Sequence, residues 1–267
     1  MRLLFHGVRG SIPVSSPGVV RYGGNTTCLE VRSESGELLI VDGGTGLRGL
    51  NLGGVDSCRI LISHLHWDHV QGLPFWAPLY RRNMKIELLV PEGGGDLLDR
   101  LMDGRMFPVR VQDLPSHVCV REYRAGDSLV VGSMTCETLA VPHPGGGVGL
   151  RLHEDGRIIA LSGDCELGET GTGIAERLFE GAGVAVVDGQ YTREQAAVRS
   201  GWGHSAAEAW LPAAGVAGVR RLVVTHHDPD ADDTMLDMRE HMLRKERLPL
   251  FLSVFMAYEG MELREGE

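Results

Sequence analysis

From Ser63 to His69 the chain reads Ser-His-Leu-His-Trp-Asp-His, which sets three imidazoles and a carboxylate within six residues. Such a group is hard to pack as inert structure. Each buried histidine needs hydrogen-bond partners, and an unpaired buried carboxylate costs on the order of several kcal/mol. A bound divalent cation resolves both demands at once. The preceding run Arg59-Ile60-Leu61-Ile62 reads as a short buried strand. It delivers the cluster at its carboxyl end, where sites in α/β sheets open.

Three further apolar runs end on ligand-type side chains. Leu139-Ala140-Val141 leads through Pro142 to His143, Arg157 to Leu161 leads through Ser162 and Gly163 to Asp164, and Arg221 to Thr225 leads to His226, His227 and Asp228. Taken singly, a His or Asp after a strand is ordinarily a turn or cap residue. Four strand ends of this kind in one chain point to a shared metal site.

The motif HxHxDH at His64 to His69, with His143, Asp164 and His226, resembles the metallo-β-lactamase fold superfamily of binuclear hydrolases. Within it the chain is most similar to the branch of the tRNA-processing nuclease RNase Z and the cyclic-phosphate phosphodiesterases. The features that carry this are His143 followed by Pro and Gly, the segment Ser162-Gly163-Asp164-Cys165, and Gly203-His204-Ser205. Ala206 stands where RNase Z has Thr, and Val187 and Asp188 stand where it has His and Glu. These departures bear on the substrate and not on the fold.

The resemblance implies a four-layer αβ/βα sandwich, an α/β fold with a binuclear metal site at one edge. It implies that His64, His66 and His143 bind one metal and that Asp68, His69 and His226 bind the second, with Asp164 bridging. The His-x-His spacing suits this, because alternate side chains at a strand end fall on one side. His226 and His227 compete for one role. Val223-Val224-Thr225-His226 repeats the pattern Leu61-Ile62-Ser63-His64, and the resemblance also favours His226. The imidazole-rich set favours zinc, while mixed His/carboxylate sites also take manganese or iron. Two cations about 3.5–4 Å apart hold a hydroxide between them, and zinc lowers the pKa of its water to about 7.

Asp68, His204 and Asp188 are the expected catalytic groups. His204 is placed to protonate a leaving alkoxide and Asp188 to orient it, a device that contributes roughly 10²–10⁴-fold. Ser205, as a substrate contact, also fits a capping box with Glu208. Arg9 is a candidate to hold a phosphate. Asp42, after Leu38-Leu39-Ile40-Val41, resembles the acidic turn common after an early strand in this superfamily, which implies a place behind the ligands or in a turn, and Trp67 and Trp76 read as pocket or core walls.

The remaining features narrow the class. At 267 residues the chain buries about three-quarters of its unfolded surface without staples, so a single hydrolase domain over residues 1–267 is expected. No apolar stretch approaches the roughly 18 residues of a membrane span, and the first residues turn polar too soon for a secretory signal. Five scattered cysteines with no CxxC pair favour reduced thiols in a cytoplasmic protein. The net charge is −10, and the eight basic residues between Arg81 and Arg124 are matched by seven acidic ones, so no basic stripe exists there for a nucleic acid.

The expected function is metal-dependent hydrolysis of a small or cyclic nucleotide-like phosphodiester, with a large nucleic acid disfavoured as partner. A lactone, thioester or β-lactam hydrolase, an RNase Z-like ribonuclease and a non-hydrolytic metal sensor are the alternatives. The resemblance alone introduces a homodimer.

Overall fold

The computed structural model describes residues 1–168, 172–246 and 248–264. Its strands are β1 (Arg2–Gly7), β2 (Cys28–Arg32), β3 (Leu38–Val41), β4 (Ser57–Leu61), β5 (Lys85–Pro91), β6 (His117–Tyr123), β7 (Ser128–Val131), β8 (Met134–Val141), β9 (Gly147–Glu154), β10 (Arg157–Leu161), β11 (Val184–Asp188), β12 (Arg221–Thr225), β13 (Ser253–Met256) and β14 (Glu262–Arg264). The α-helices are α1 (Trp67–Val70), α2 (Leu97–Leu101), α3 (Thr172–Phe179), α4 (Arg193–Val198), α5 (Leu211–Ala217) and α6 (Asp233–Lys245).

Two seven-stranded mixed sheets result, in the orders β14-β1-β2-β3-β4-β5-β6 and β13-β12-β11-β10-β9-β8-β7. Three apolar clusters hold four layers together. Phe5, Val31, Leu39 and Leu61 of the first sheet meet Leu150, Ile159, Val184 and Val223 of the second. Behind the first sheet, Ile60 and Ile86 pack with Trp76, and behind the second, Ala185 and Val224 pack with Phe179 and Trp210. The central strand β11 shows why the sequence settles there. Val184 and Val186 face the inter-sheet core while Ala185 and Val187 face the helices, so the whole run is buried and no polar alternation is needed. Each fully buried Val or Ile contributes about 1.5–3 kcal/mol. The expected αβ/βα sandwich is the fold observed.

Strand direction places the site. β3, β4 and β5 run parallel to one another, as do β10, β11, β12 and β13. β8 is antiparallel to β9, and β9 is antiparallel to β10, so β8 and β10 also point the same way. Within the first sheet Asp42 and His64, and within the second His143, Asp164, Asp188 and His226, therefore come from the carboxyl ends of co-directed strands.

Candidate metal centre

Each candidate ligand arrives by a short step from a strand end. His64 lies three residues beyond β4, and α1 then carries Asp68 and His69 inward. His226 follows β12 directly, with φ at +60°, and Asp42 follows β3 with φ at +63°. Non-glycine residues in the left-handed region cost on the order of 1–3 kcal/mol, so both turns are conformations that the surrounding packing enforces. Gly10 passes close behind: a β-carbon there would sit 2.4 Å from His226 Nδ1, which only glycine avoids.

The geometry brings the seven expected ligands into two adjoining groups. In one, single donor atoms of His64, His66 and His143 lie within 4.8 Å of one another, and in the other those of Asp68, His69, Asp164 and His226 do. Asp164 Oδ2 is central, 3.1 Å from His69 Nε2, 3.2 Å from His226 Nε2 and 3.5 Å from His64 Nε2. Asp68 Oδ2 lies 3.1 Å from His226 Nε2 and accepts the Ser11 N–H at 2.6 Å. His66 Nδ1 and His143 Nε2 are 3.0 Å apart at the more exposed side.

The residues behind the donors fix which ring nitrogen faces inward. His69 donates from Nδ1 to Asp42 Oδ2 at 2.8 Å, and His143 donates from Nδ1 to the Gly203 carbonyl at 2.8 Å. Both Nε2 atoms are thereby left as lone-pair donors, the arrangement that metal-binding imidazoles adopt. Asp42 also accepts the Ser63 backbone N–H and hydroxyl, and that hydroxyl lies 3.1 Å from His64 Nδ1. Asp42 thus braces His69 and the start of the histidine cluster from behind.

The electrostatics fit a cation. Burial alone would raise the carboxyl of Asp164, but His226 and His69 outweigh it and hold the group well below the usual carboxylate range. Burial likewise opposes charge on His226, yet Asp164 and Asp68 push it up to about 9, and His69 is raised for similar reasons. Two buried carboxylates therefore draw positive charge into the pocket, and a divalent ion satisfies the same demand. His64 moves the other way, kept neutral first by burial and then by His69, as a metal ligand must be. Its Nε2 is buried without a hydrogen-bond partner among the described residues. The donor set fits a metal pair.

His204 and Asp188 adjoin this cluster. His204 donates from Nδ1 to Asp188 Oδ2 at 3.0 Å. Asp188 is fixed in turn by the backbone N–H groups of Cys165 and Gln190. Donor atoms of His204, His143 and Asp164 also lie within 4.8 Å of one another, so the imidazole abuts the expected ligands.

The expectations for Arg9 and Ser205 need correction. Arg9 is fully buried, and its guanidinium donates to the carbonyls of Gly23, Asp228 and Ala231, clamping two loops together instead of facing substrate. Ser205 is also buried; its hydroxyl donates to the Cys165 carbonyl and accepts from Leu167 N–H, so it is neither a substrate contact nor a cap. A 3₁₀ turn at Ala207–Trp210 leads into α5, and its cap residue, Ala206, makes no side-chain bond. His227 turns away and donates to the Ala257 carbonyl, which leaves His226 in the cluster.

One residue of the site had no signal in the sequence. The carboxylate of Glu166 accepts N–H groups from both Gly201 and Gly203, pinning the loop that displays His204. Gly203 has φ of +90°, and a β-carbon there would lie 2.3 Å from His143 Nδ1. The loop can approach His143 this closely only through glycine.

The chain belongs to the beta-lactamase superfamily domain family, whose model matches residues 48–254. Among solved structures it is similar to the metallo-beta-lactamase fold protein YhfI from Bacillus subtilis, with a TM-score of 0.74 and 16% identity over 98% of each chain. It is similar to human tRNase Z, short form, with a TM-score of 0.71 and 22% identity over 100% of each chain. A diphosphatase of the PhnP family gives a TM-score of 0.69 and 15% identity over 98% of this chain and 97% of that one. At these identities the likeness is one of fold. Comparison with curated proteins finds no match by sequence.

Proposed function

We propose that the protein is a metal-dependent phosphodiesterase acting on a small or cyclic nucleotide-like phosphodiester. The observation that carries this is the His204–Asp188 pair standing against the ligand cluster. Hydrolysis of an alkyl phosphodiester expels a poor alkoxide, which needs a proton as the bond breaks. The carboxylate of Asp188 accepts from Nδ1 of His204 and fixes the ring, leaving Nε2 to hand a proton to the departing oxygen. Lactone or thioester hydrolysis places less demand on such a group.

His64, His66 and His143 would hold one ion, Asp68, His69 and His226 the other, and Asp164 both. Divalent ions held there supply Lewis acidity and acidify water at neutral pH. Zinc suits so many imidazoles. Asp42 and the Gly203 carbonyl keep His69 and His143 oriented toward that position. The tRNase and the diphosphatase to which the fold is similar are named for reactions at phosphorus, which agrees with this reading. The acidic overall charge supports a small substrate over a polymer.

The test is hydrolysis of a nucleoside cyclic phosphate and of a thioester by zinc- and manganese-loaded protein, with His204→Ala alongside. Turnover of the phosphodiester that depends on His204 supports the proposal. Thioester turnover alone, indifferent to His204, overturns it.

A further inference from the structure

Two of the four tryptophans, Trp76 and Trp210, are completely buried, whereas Trp67 and Trp202 are 54% and 64% exposed. An indole offers more apolar surface for burial than almost any other side chain, so an exposed one forgoes stabilisation that packing would give. Both exposed indoles are chain neighbours of residues at the more open side of the candidate metal centre. Trp67 follows His66, and Trp202 precedes Gly203, whose carbonyl takes the His143 hydrogen bond. His66 and His143 are the exposed and half-buried members of the ligand set, while Asp68, His69, Asp164 and His226 lie beneath.

Trp202 is the better placed of the two. The backbone N–H groups on either side of it, at Gly201 and Gly203, are both held by Glu166, so the residue is fixed although its ring is in solvent. The Arg199 guanidinium lies 5.9 Å from the Trp202 ring and 4.9 Å from that of Tyr191. Tyr191 in turn meets His204 edge-on, with ring centroids 5.6 Å apart. A continuous series of ring and guanidinium contacts thus joins Trp202 to His204.

We infer that Trp202 is a stacking platform for a planar ring, a nucleobase, on the leaving-group side of the phosphodiester. This rests on the phosphodiesterase proposal, because His204 defines which side the leaving group occupies. Stacking suits the rest of the molecule. Arg9 is buried, so that side chain adds no phosphate contact to what a metal pair would supply, and recognition of the rest of the substrate falls to other groups. A base offers its π-face to an indole whatever the salt or net charge, and such a contact changes affinity about tenfold or more. Arg199, paired with Asp228 at 3.4 Å, is itself held in place beside the ring.

Two measurements test this. In the first, tryptophan emission is followed while a nucleoside monophosphate, or ribose phosphate lacking the base, is titrated into wild type, Trp202→Phe and Trp202→Ala. Quenching by the nucleotide alone, largely lost in Trp202→Ala, is the expected result. In the second, kcat/KM is compared for a nucleoside cyclic phosphate and the matching base-free sugar cyclic phosphate. The preference for the base should fall about tenfold in Trp202→Ala and recover in part in Trp202→Phe. An unchanged preference in Trp202→Ala, or equal binding of nucleotide and ribose phosphate by wild type, overturns the inference. If wild type hydrolyses no phosphodiester at all, the phosphodiesterase proposal fails by itself, and the quenching titration still decides the platform.

Discussion

Asp42, at the end of β3, accepts the Nδ1 proton of His69 at 2.8 Å and ties two neighbouring strand ends to one imidazole. The same carboxylate takes the Ser63 N–H, so it orients the start of the histidine cluster as well as its end. Partners of this kind raise ligand basicity and hold the ring in place; their loss costs roughly 10–100-fold in metal affinity. Asp42→Asn should therefore load metal, but with affinity weakened by about that factor in a chelator competition. Wild-type affinity in this variant would show that the hydrogen bond orients nothing the ion needs.

His204→Ala should act according to the leaving group. With an alkoxide leaving group the variant should lose roughly 10²–10⁴ in kcat. With p-nitrophenolate, which departs without a proton, the loss should be much smaller. A plot of rate against leaving-group pKa should accordingly be steeper for the variant than for wild type. Parallel plots would remove His204 from proton transfer.

The sequence brought out the candidate ligands because each cluster of them follows an apolar run, and a run such as Ile158 to Leu161 before Asp164 is visible without knowing its neighbours. Asp42 could be placed behind them only with the help of the family resemblance. Arg9 misled because nothing in Gly7-Val8-Arg9-Gly10 reveals that three carbonyls from distant loops close around the guanidinium. Ser205 misled because its spacing from Glu208 fits a cap, while the fold spends the hydroxyl on Cys165 and Leu167. Contacts made across tens of residues leave no local pattern.

Glu166 is such a contact, reaching Gly201 thirty-five positions away. Its carboxylate lies below the usual range; burial opposes this, and the backbone N–H groups of Gly201 and Gly203 outweigh it. Glu166→Ala should free the loop that carries Trp202 and His204, and with it the Gly203 carbonyl that orients His143. The expected outcome is a fall of about tenfold or more in kcat/KM, with metal affinity weakened by about the same factor as in Asp42→Asn or less, and faster amide exchange confined to residues 199–205. Wild-type activity and exchange in this variant would mean that Glu166 does not hold the loop.

Away from the site, Glu30 on β2 makes stability depend on acid. Its carboxylate lies 2.9 Å from His6 Nε2 and 2.5 Å from Arg32 Nε, almost out of solvent. Burial alone would raise its pKa, but the hydrogen bonds from His6 and Arg32 prevail and hold it at about 2, against an ordinary 4.5. A carboxyl depressed in the folded state adds stability above its unfolded pKa, and that stability is lost as pH falls toward the folded one. The contribution is on the order of 2 kcal/mol after screening by partly exposed partners. Glu30→Gln should therefore be less stable than wild type by about that amount above pH ~5. Denaturant titrations at successive pH values should show the gap closing between about 4.5 and 2, where wild type itself carries the proton. A gap of constant size across that range would mean that the substitution acts through packing and not through charge.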